Sequence, residues 1–166
     1  MANNCMFNIR AVGKTKESVE RFLKVLQYKD PDFALYRVFS ADAGEAEQDG
    51  ELWLLDIVGD VAWACSMWLH AVDTGRPYGG SKLAILPEIC TALDIGVEVW
   101  AEEPGVGFEQ HILVNHNGSV VFDESEDMSY VCDDNEEWVT NPDGSWKKEG
   151  GFENFLEFSF PTEIFG

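Results

Sequence analysis

One feature limits this chain more than any other: residues 83–146 hold fifteen Asp and Glu and not a single Lys or Arg. At its centre the run Asp123, Glu124, Glu126, Asp127, Asp133, Asp134, Glu136 and Glu137 packs eight carboxylates into fifteen residues. Met128, Tyr130, Val131 and Cys132 interrupt it, and Trp138 follows it. A solvated acidic tail lacks such apolar residues and sits at a terminus, so the interleaving predicts a folded acidic surface between two strand-like segments. The first 37 residues are the opposite, with seven bases against four acids.

The whole chain carries a net charge of −20, yet 45% of its 166 residues are hydrophobic and 13% aromatic, enough to bury one core. The acidic excess excludes a broad basic face that grips phosphate backbones, so direct nucleic-acid binding is not expected. No run of 18 apolar residues occurs and Met1 to Cys5 lacks the pattern of a secretion signal, which predicts no membrane span and a cytoplasmic location. Cys5, Cys65, Cys90 and Cys132 are far apart, with no C-x-x-C pair, and read as reduced residues rather than as zinc ligands or a redox dithiol.

Cys5 to Val12 alternates with period two, as an opening strand does. Thr15 can cap a following helix with Val19, Phe22, Leu23 and Leu26 on its inner stripe, ended by Asp30-Pro31. Leu35–Phe39 and Glu51–Val58 read as strands around a mobile loop, Asp42–Gly50. Val61 to Ala71 has helical spacing, which predicts a short buried helix with Trp63 and Trp68 in the core. A further helix fits Pro87 to Leu93, with Leu86, Ile89, Cys90 and Leu93 inward. Val97 to Glu102 alternates apolar and acidic residues as a half-exposed strand. Phe108–Asn115 and Ser119–Phe122 flank Asn117-Gly118, the dipeptide of a type I′ hairpin. Asn141-Pro142-Asp143-Gly144 marks a second turn. The closing apolar residues Phe152, Phe155, Leu156, Phe158, Phe160 and Phe165 form a largely aromatic tail too apolar to dangle, which should dock on the sheet. The expected fold class is α+β: a single domain over 1–166, its antiparallel sheet carrying helices on one face, with a core over 1–125 and a β-rich acidic and aromatic extension over 126–166.

Three stretches carry a resemblance. They are Met1-Ala2-Asn3-Asn4-Cys5 with its strand and helix, Val61-Ala62-Trp63-Ala64-Cys65-Ser66-Met67, and the segment from Val97-Glu98-Val99-Trp100 through Glu102-Glu103-Pro104-Gly105 to His111. Together with Val120-Val121-Phe122-Asp123-Glu124, they resemble the YubB ferredoxin-like family of phage and plasmid proteins over about residues 1–125. That resemblance implies a ferredoxin-like sheet and a mobile-element origin, and no activity. The resemblance also gives the acidic surface an expected role, since small acidic phage proteins often inhibit host defence enzymes by presenting carboxylates where a nuclease expects phosphates.

Other chemistry is weaker. Glu102, Glu103, Glu109 and His111 could assemble an acid/base site, but no nucleophile motif accompanies them. His111 and His116 are five apart and face opposite sides of a continuous strand, so they cannot share a metal. Asp133 to Glu137 lacks the ligand alternation and central glycine of a calcium loop, and Gly75 to Lys82 has the wrong order for a phosphate loop. No cofactor and no metal is expected. The expected function is therefore that of a non-catalytic inhibitor. It would occupy the basic nucleic-acid groove of a host defence complex, a CRISPR effector or restriction enzyme, by mimicry through Asp123, Glu124, Glu126, Asp127, Asp133, Asp134, Glu136 and Glu137. Tyr130 and Trp138 would serve as apolar anchors. The alternatives are a small-molecule pocket near Trp63, Trp68 and Trp100, or a hydrolase using the Glu102, Glu103, Glu109 and His111 set.

Overall fold

Most strands of this chain pair into one large sheet, with two short ones forming a separate two-stranded pair, and the apolar residue at every second position decides which face is covered by helices. A computed structural model describes residues 3–70 and 81–166. The opening alternation becomes β1 (Asn4–Gly13), which buries Cys5, Phe7, Ile9 and Ala11 on one face. In α1 (Lys16–Leu26) Thr15 Oγ1 accepts the Ser18 N–H at 3.1 Å, and Val19, Phe22, Val25 and Leu26 enter the core. β2 (Phe33–Ala34), β3 (Val38–Ala43), β4 (Glu47–Asp49) and β5 (Leu52–Ala62) follow. β6 (Lys82–Leu83) pairs in parallel with β2. α2 (Leu86–Leu93) packs Leu86, Ile89, Cys90 and Leu93 inward, as their spacing predicts. Then come β7 (Ile95–Glu103), β8 (Phe108–Val114), β9 (Val120–Tyr130), β10 (Lys148–Gly150) and α3 (Pro161–Phe165).

The class is α+β, built on a large antiparallel sheet. Its order is β10-β9-β8-β7-β1-β5-β3, with β4 also against β5, eight strands among the described residues. α1, α2 and the apolar sides of β1, β5, β7 and β8 enclose the main core. No described helix is long and apolar enough to cross a membrane.

Four expectations change. Val61 and Ala62 do not start a helix: they extend β5 to pair with Cys5 and Asn4, because an apolar pair gains more from sheet hydrogen bonds beside a buried neighbour than from an isolated turn. Trp63 turns the chain at φ +75° and stays 46% exposed. Only Trp68, on a 3-10 turn over Cys65–Leu69, enters the core, edge-on to Phe7 at 5.5 Å. Ala71 and most of the Gly75–Lys82 stretch lie outside the described residues. The loop at Asp42–Gly50 is largely ordered, its two sides carried by β3 and β4 along β5. The hairpin at Asn117-Gly118 forms, but its turn is longer than type I′: only Gly118 has positive φ, +83°, and a register shift at Leu113/Val114 accommodates the loop. Gly118 N–H donates to the Asn115 carbonyl at 2.9 Å.

The largest departure is β7. Its apolar/acidic alternation predicts one wet face, yet Glu98 and Trp100 are fully buried. The C-terminal residues 152–166 lie across that second face as a strap. Phe152 and Phe155 meet the Trp100 ring edge-on at 5.4 and 5.7 Å, and Arg10 lies 4.8 Å over Phe158. Ile164 of α3 joins Val12 and Leu113 in a second small core. Four of the six expected tail residues, Phe152, Phe155, Phe158 and Phe165, dock half-buried and close a second face that sequence patterning leaves open, while Leu156 and Phe160 stay exposed, at 45% and 74%. β9 runs through the 125/126 division between the expected core and extension.

Candidate functional site

An acidic strand can keep its charge only where water reaches both of its faces, and β9 meets that condition. It pairs with β8 along its length, but β10 covers only Met128–Tyr130 on the other side, so Val120 to Glu126 form a sheet edge among the described residues. Charged edges of this kind also resist edge-to-edge aggregation. The pairs His111↔Glu124 and Glu109↔Glu126 put Glu124 and Glu126 on the strap side of the sheet. Ile112↔Asp123 and Phe108↔Asp127 put Asp123 and Asp127 on the helix side. The eight carboxylates thus do not share one face. Four straddle an edge strand, and Asp133, Asp134, Glu136 and Glu137 crowd a separate tight turn. There Asp133 Oδ1 accepts the N–H groups of Asn135 and Glu137 at 2.9 and 3.0 Å, and the Cys132↔Trp138 bridge closes the turn. All eight are exposed, and among the described residues none forms a salt bridge.

Beyond the ridge, residues 130–147 fold back as a miniature meander. Val139 N–H donates to Val131 and Lys147 N–H to Val139, and a Thr140↔Trp146 bridge spans the predicted Asn141–Gly144 turn. This brings Trp138 and Trp146 into a stack, 5.6 Å apart and 19° from parallel. Tyr130 stands nearly perpendicular to both, at 6.2 and 5.6 Å. Tyr130 and Trp138 are the anchors expected from the sequence; Trp146 joins them because the expected Asn141–Gly144 turn folds it back against Trp138. Tyr130 Oη donates to Glu102 at 3.0 Å. Burial first, and then the Glu102 charge and hydrogen bond, push this hydroxyl up to about 12. The trio walls a surface groove of about 620 Å³, closed by Met6, Met128 and the Pro104–Gly107 loop.

The candidate acid/base set is only partly assembled. Glu103 projects to the helix side and caps the loop, accepting the N–H groups of Gly105 and Val106. Glu102, Glu109 and His111 share the strap side, but two of the three are committed beneath the strap. Glu109 is fully buried, bound by Lys148 Nζ and by Phe152 N–H at 2.8 Å. His111 is 6% exposed, stacked on Trp100 at 3.8 Å and against Phe122 at 4.8 Å, with Nε2 2.7 Å from Glu98. Glu98 is the residue that sequence reading missed. Its carboxylate also accepts the Ser159 N–H at 2.8 Å and Ser159 Oγ–H at 3.0 Å, so the layer ties the strap down rather than opening to a substrate.

Nor do the three candidate pocket tryptophans meet. Trp68 lies on the helix side, Trp100 on the strap side with its Nε1–H given to the Glu157 carbonyl at 3.2 Å, and Trp63 is in water. Among the described residues no group of three or more His, Cys, Asp and Glu is placed to hold a metal ion. Comparison with family models, curated proteins and solved structures finds no match for the chain.

Proposed function

We propose that the protein is a non-catalytic, acidic binding protein that inhibits a nucleic-acid-handling defence complex, a CRISPR effector or restriction enzyme, by occupying its Lys/Arg-lined groove. The observation that carries this reading is the unpaired acidic edge of β9. Strand residues rise about 3.4 Å each and alternate sides, so same-side carboxylates such as Glu124 and Glu126 lie about 6.8 Å apart. The two sides together approach one charge per about 3.4 Å, the axial spacing of charge on a single DNA strand. An acidic edge of this kind also steers diffusional encounter with a basic groove. The order β7-β1-β5-β3 with α1 and α2 on one face supports reading the core as ferredoxin-like, in keeping with the motif resemblance to the YubB family and a mobile-element origin. Expression of such an inhibitor in a bacterial cytoplasm fits its four unpaired cysteines.

The test is competition. The protein is titrated against labelled duplex bound to a restriction enzyme or CRISPR effector, at low and high salt. Displacement that weakens with salt and is lost in Asp123→Lys/Glu124→Lys/Glu126→Lys/Asp127→Lys supports mimicry. Equal displacement by that variant, shown folded by circular dichroism, ends the proposal.

A further inference from the structure

The groove beside the acidic edge is walled by aromatic faces that the fold leaves half in water. Trp138 and Trp146 are each 52% exposed, Met6 44% and Val106 66%. Bridges at Cys132↔Trp138 and Thr140↔Trp146 place the two backbones, and the contacts of the indoles with each other and with Tyr130 set the rings, which limits the reorganisation that binding needs. An indole pair kept for packing alone would be buried; apolar patches this open mark places where something else docks. What docks is constrained by charge. No Lys or Arg lines the groove. Tyr130 is backed by Glu102, Glu126 lies on the same side of β9 as Met128 and Tyr130, and Glu136 and Glu137 precede Trp138, while a nearby base, Lys147, follows Trp146 along the adjoining hollow. Aromatic faces carry negative potential, and indole is the best of them for holding a cation. A guanidinium satisfies both features at once, because its plane stacks on a ring while its edge donates to carboxylates; a compact, strongly hydrated ammonium does this less well.

We propose that the Tyr130–Trp138–Trp146 groove is an arginine-docking site, in which an Arg side chain of the partner protein stacks on the exposed indoles beside the acidic edge. This rests on the reading of the protein as a binder of basic grooves and names the contact that would anchor it. It also predicts a split of labour. The carboxylates supply long-range attraction that salt screens, and the indoles supply short-range affinity that persists.

The experiment uses the full chain with two probes of equal charge, deca-arginine and deca-lysine peptides. Binding is followed by calorimetry at 150 mM NaCl and by the indole N–H signals in NMR. The expected result is a preference for the arginine peptide of about three- to tenfold. The Trp138 and Trp146 signals should move while those of buried Trp68 and Trp100 stay, and the preference should vanish in Trp138→Ala. Equal affinity for both peptides, or indoles that do not respond, overturns the arginine site and leaves the acidic-edge reading standing. If neither peptide binds, even at 20 mM NaCl, both readings are overturned. Self-association that protects Trp138 and Trp146 at rising protein concentration makes the occupant a second copy and overturns the proposal. The comparison of the two peptides on the unmodified protein decides the matter even if Trp138→Ala does not fold.

Discussion

Replacing Glu98 with alanine should show how the strap is held. The buried carboxylate accepts two hydrogen bonds from Ser159, at 2.8 and 3.0 Å, and lies 2.7 Å from His111 Nε2. Without it, a half-buried backbone N–H and hydroxyl and a buried ring nitrogen lose their partner, at up to about 1–3 kcal/mol each. The upper end of that sum is never reached, because the chain has an easier route: the strap can lift and return the Ser159 donors to water. Lifting uncovers Trp100 and forfeits the packing of Phe152, Phe155 and Phe158, which are only half-buried, and of Ile164, which is fully buried. A fully buried side chain of this kind contributes about 1.5–3 kcal/mol, so local release competes with the cost of unmet hydrogen bonds. The expected loss is about 3 kcal/mol, which for a chain of this size lowers Tm by roughly 6–12 °C. Urea unfolding measures the global part. Amide exchange at Ser159 and acrylamide quenching of Trp100 measure the local part. Glu102→Ala is the control: half-buried and holding only the Tyr130 hydroxyl, it should cost less than about 1 kcal/mol. If Glu98→Ala stays within about 0.5 kcal/mol of the parent and leaves Ser159 protection unchanged, the strap is not held by this carboxylate.

A second prediction concerns pH. Burial pushes the Asp30 carboxyl up, but hydrogen bonds from Arg21 at 2.7 Å and from the Phe33 and Asp32 N–H groups outweigh it and hold the folded value below the ordinary 3.8. A depressed folded pKa contributes stability above the unfolded value that is lost as pH falls through the folded one. Urea midpoints should therefore drop below about pH 4, and Asp30→Asn should flatten that drop; an identical slope in the variant would contradict the assignment. Gly96→Ala should loosen α3, since a Cβ there would sit 1.9 Å from the Ile164 carbonyl oxygen. Its signature is faster exchange at the amides of α3, and an unchanged rate would mean that the backbones are not in contact. Ellman's reagent should label one thiol, Cys132, in the folded protein and four after denaturation. Cys5, Cys65 and Cys90 are buried, and burial raises the Cys65 and Cys90 thiols further. Rapid labelling of two or more in the folded state would refute that burial.

The elements that patterning identified are those whose signals are local. α1 follows from a capping Thr15 and a stripe at helical spacing; α2 from Leu86, Ile89, Cys90 and Leu93; the Asn141–Gly144 turn from its own residues. Val61 to Ala71 was misleading, because Ala and Trp at helical spacing say nothing of the neighbour that Val61 finds in Cys5. The acidic residues of the candidate site were visible one by one, but their division between two sides of β9 and a separate turn was not, since it depends on the register with β8. Trp146 reaches Trp138 through the local Asn141–Gly144 turn; what the sequence did not show is that Tyr130 stands against both indoles.

The sequence by itself determined an α+β chain with an acidic, folded C-terminal half and an aromatic tail that had to be buried somewhere. Only the tertiary structure decided where. Alternation along β7 reports that its two faces differ, not what lies over each, and an acid at position 98 is as compatible with water as with a buried partner. The strap supplies that partner, Ser159, from 61 residues farther along the chain. Hydrogen bonding and apolar burial act over a few ångströms in space, without regard to separation in sequence, so a polar residue's environment is fixed only when the chain has closed on it.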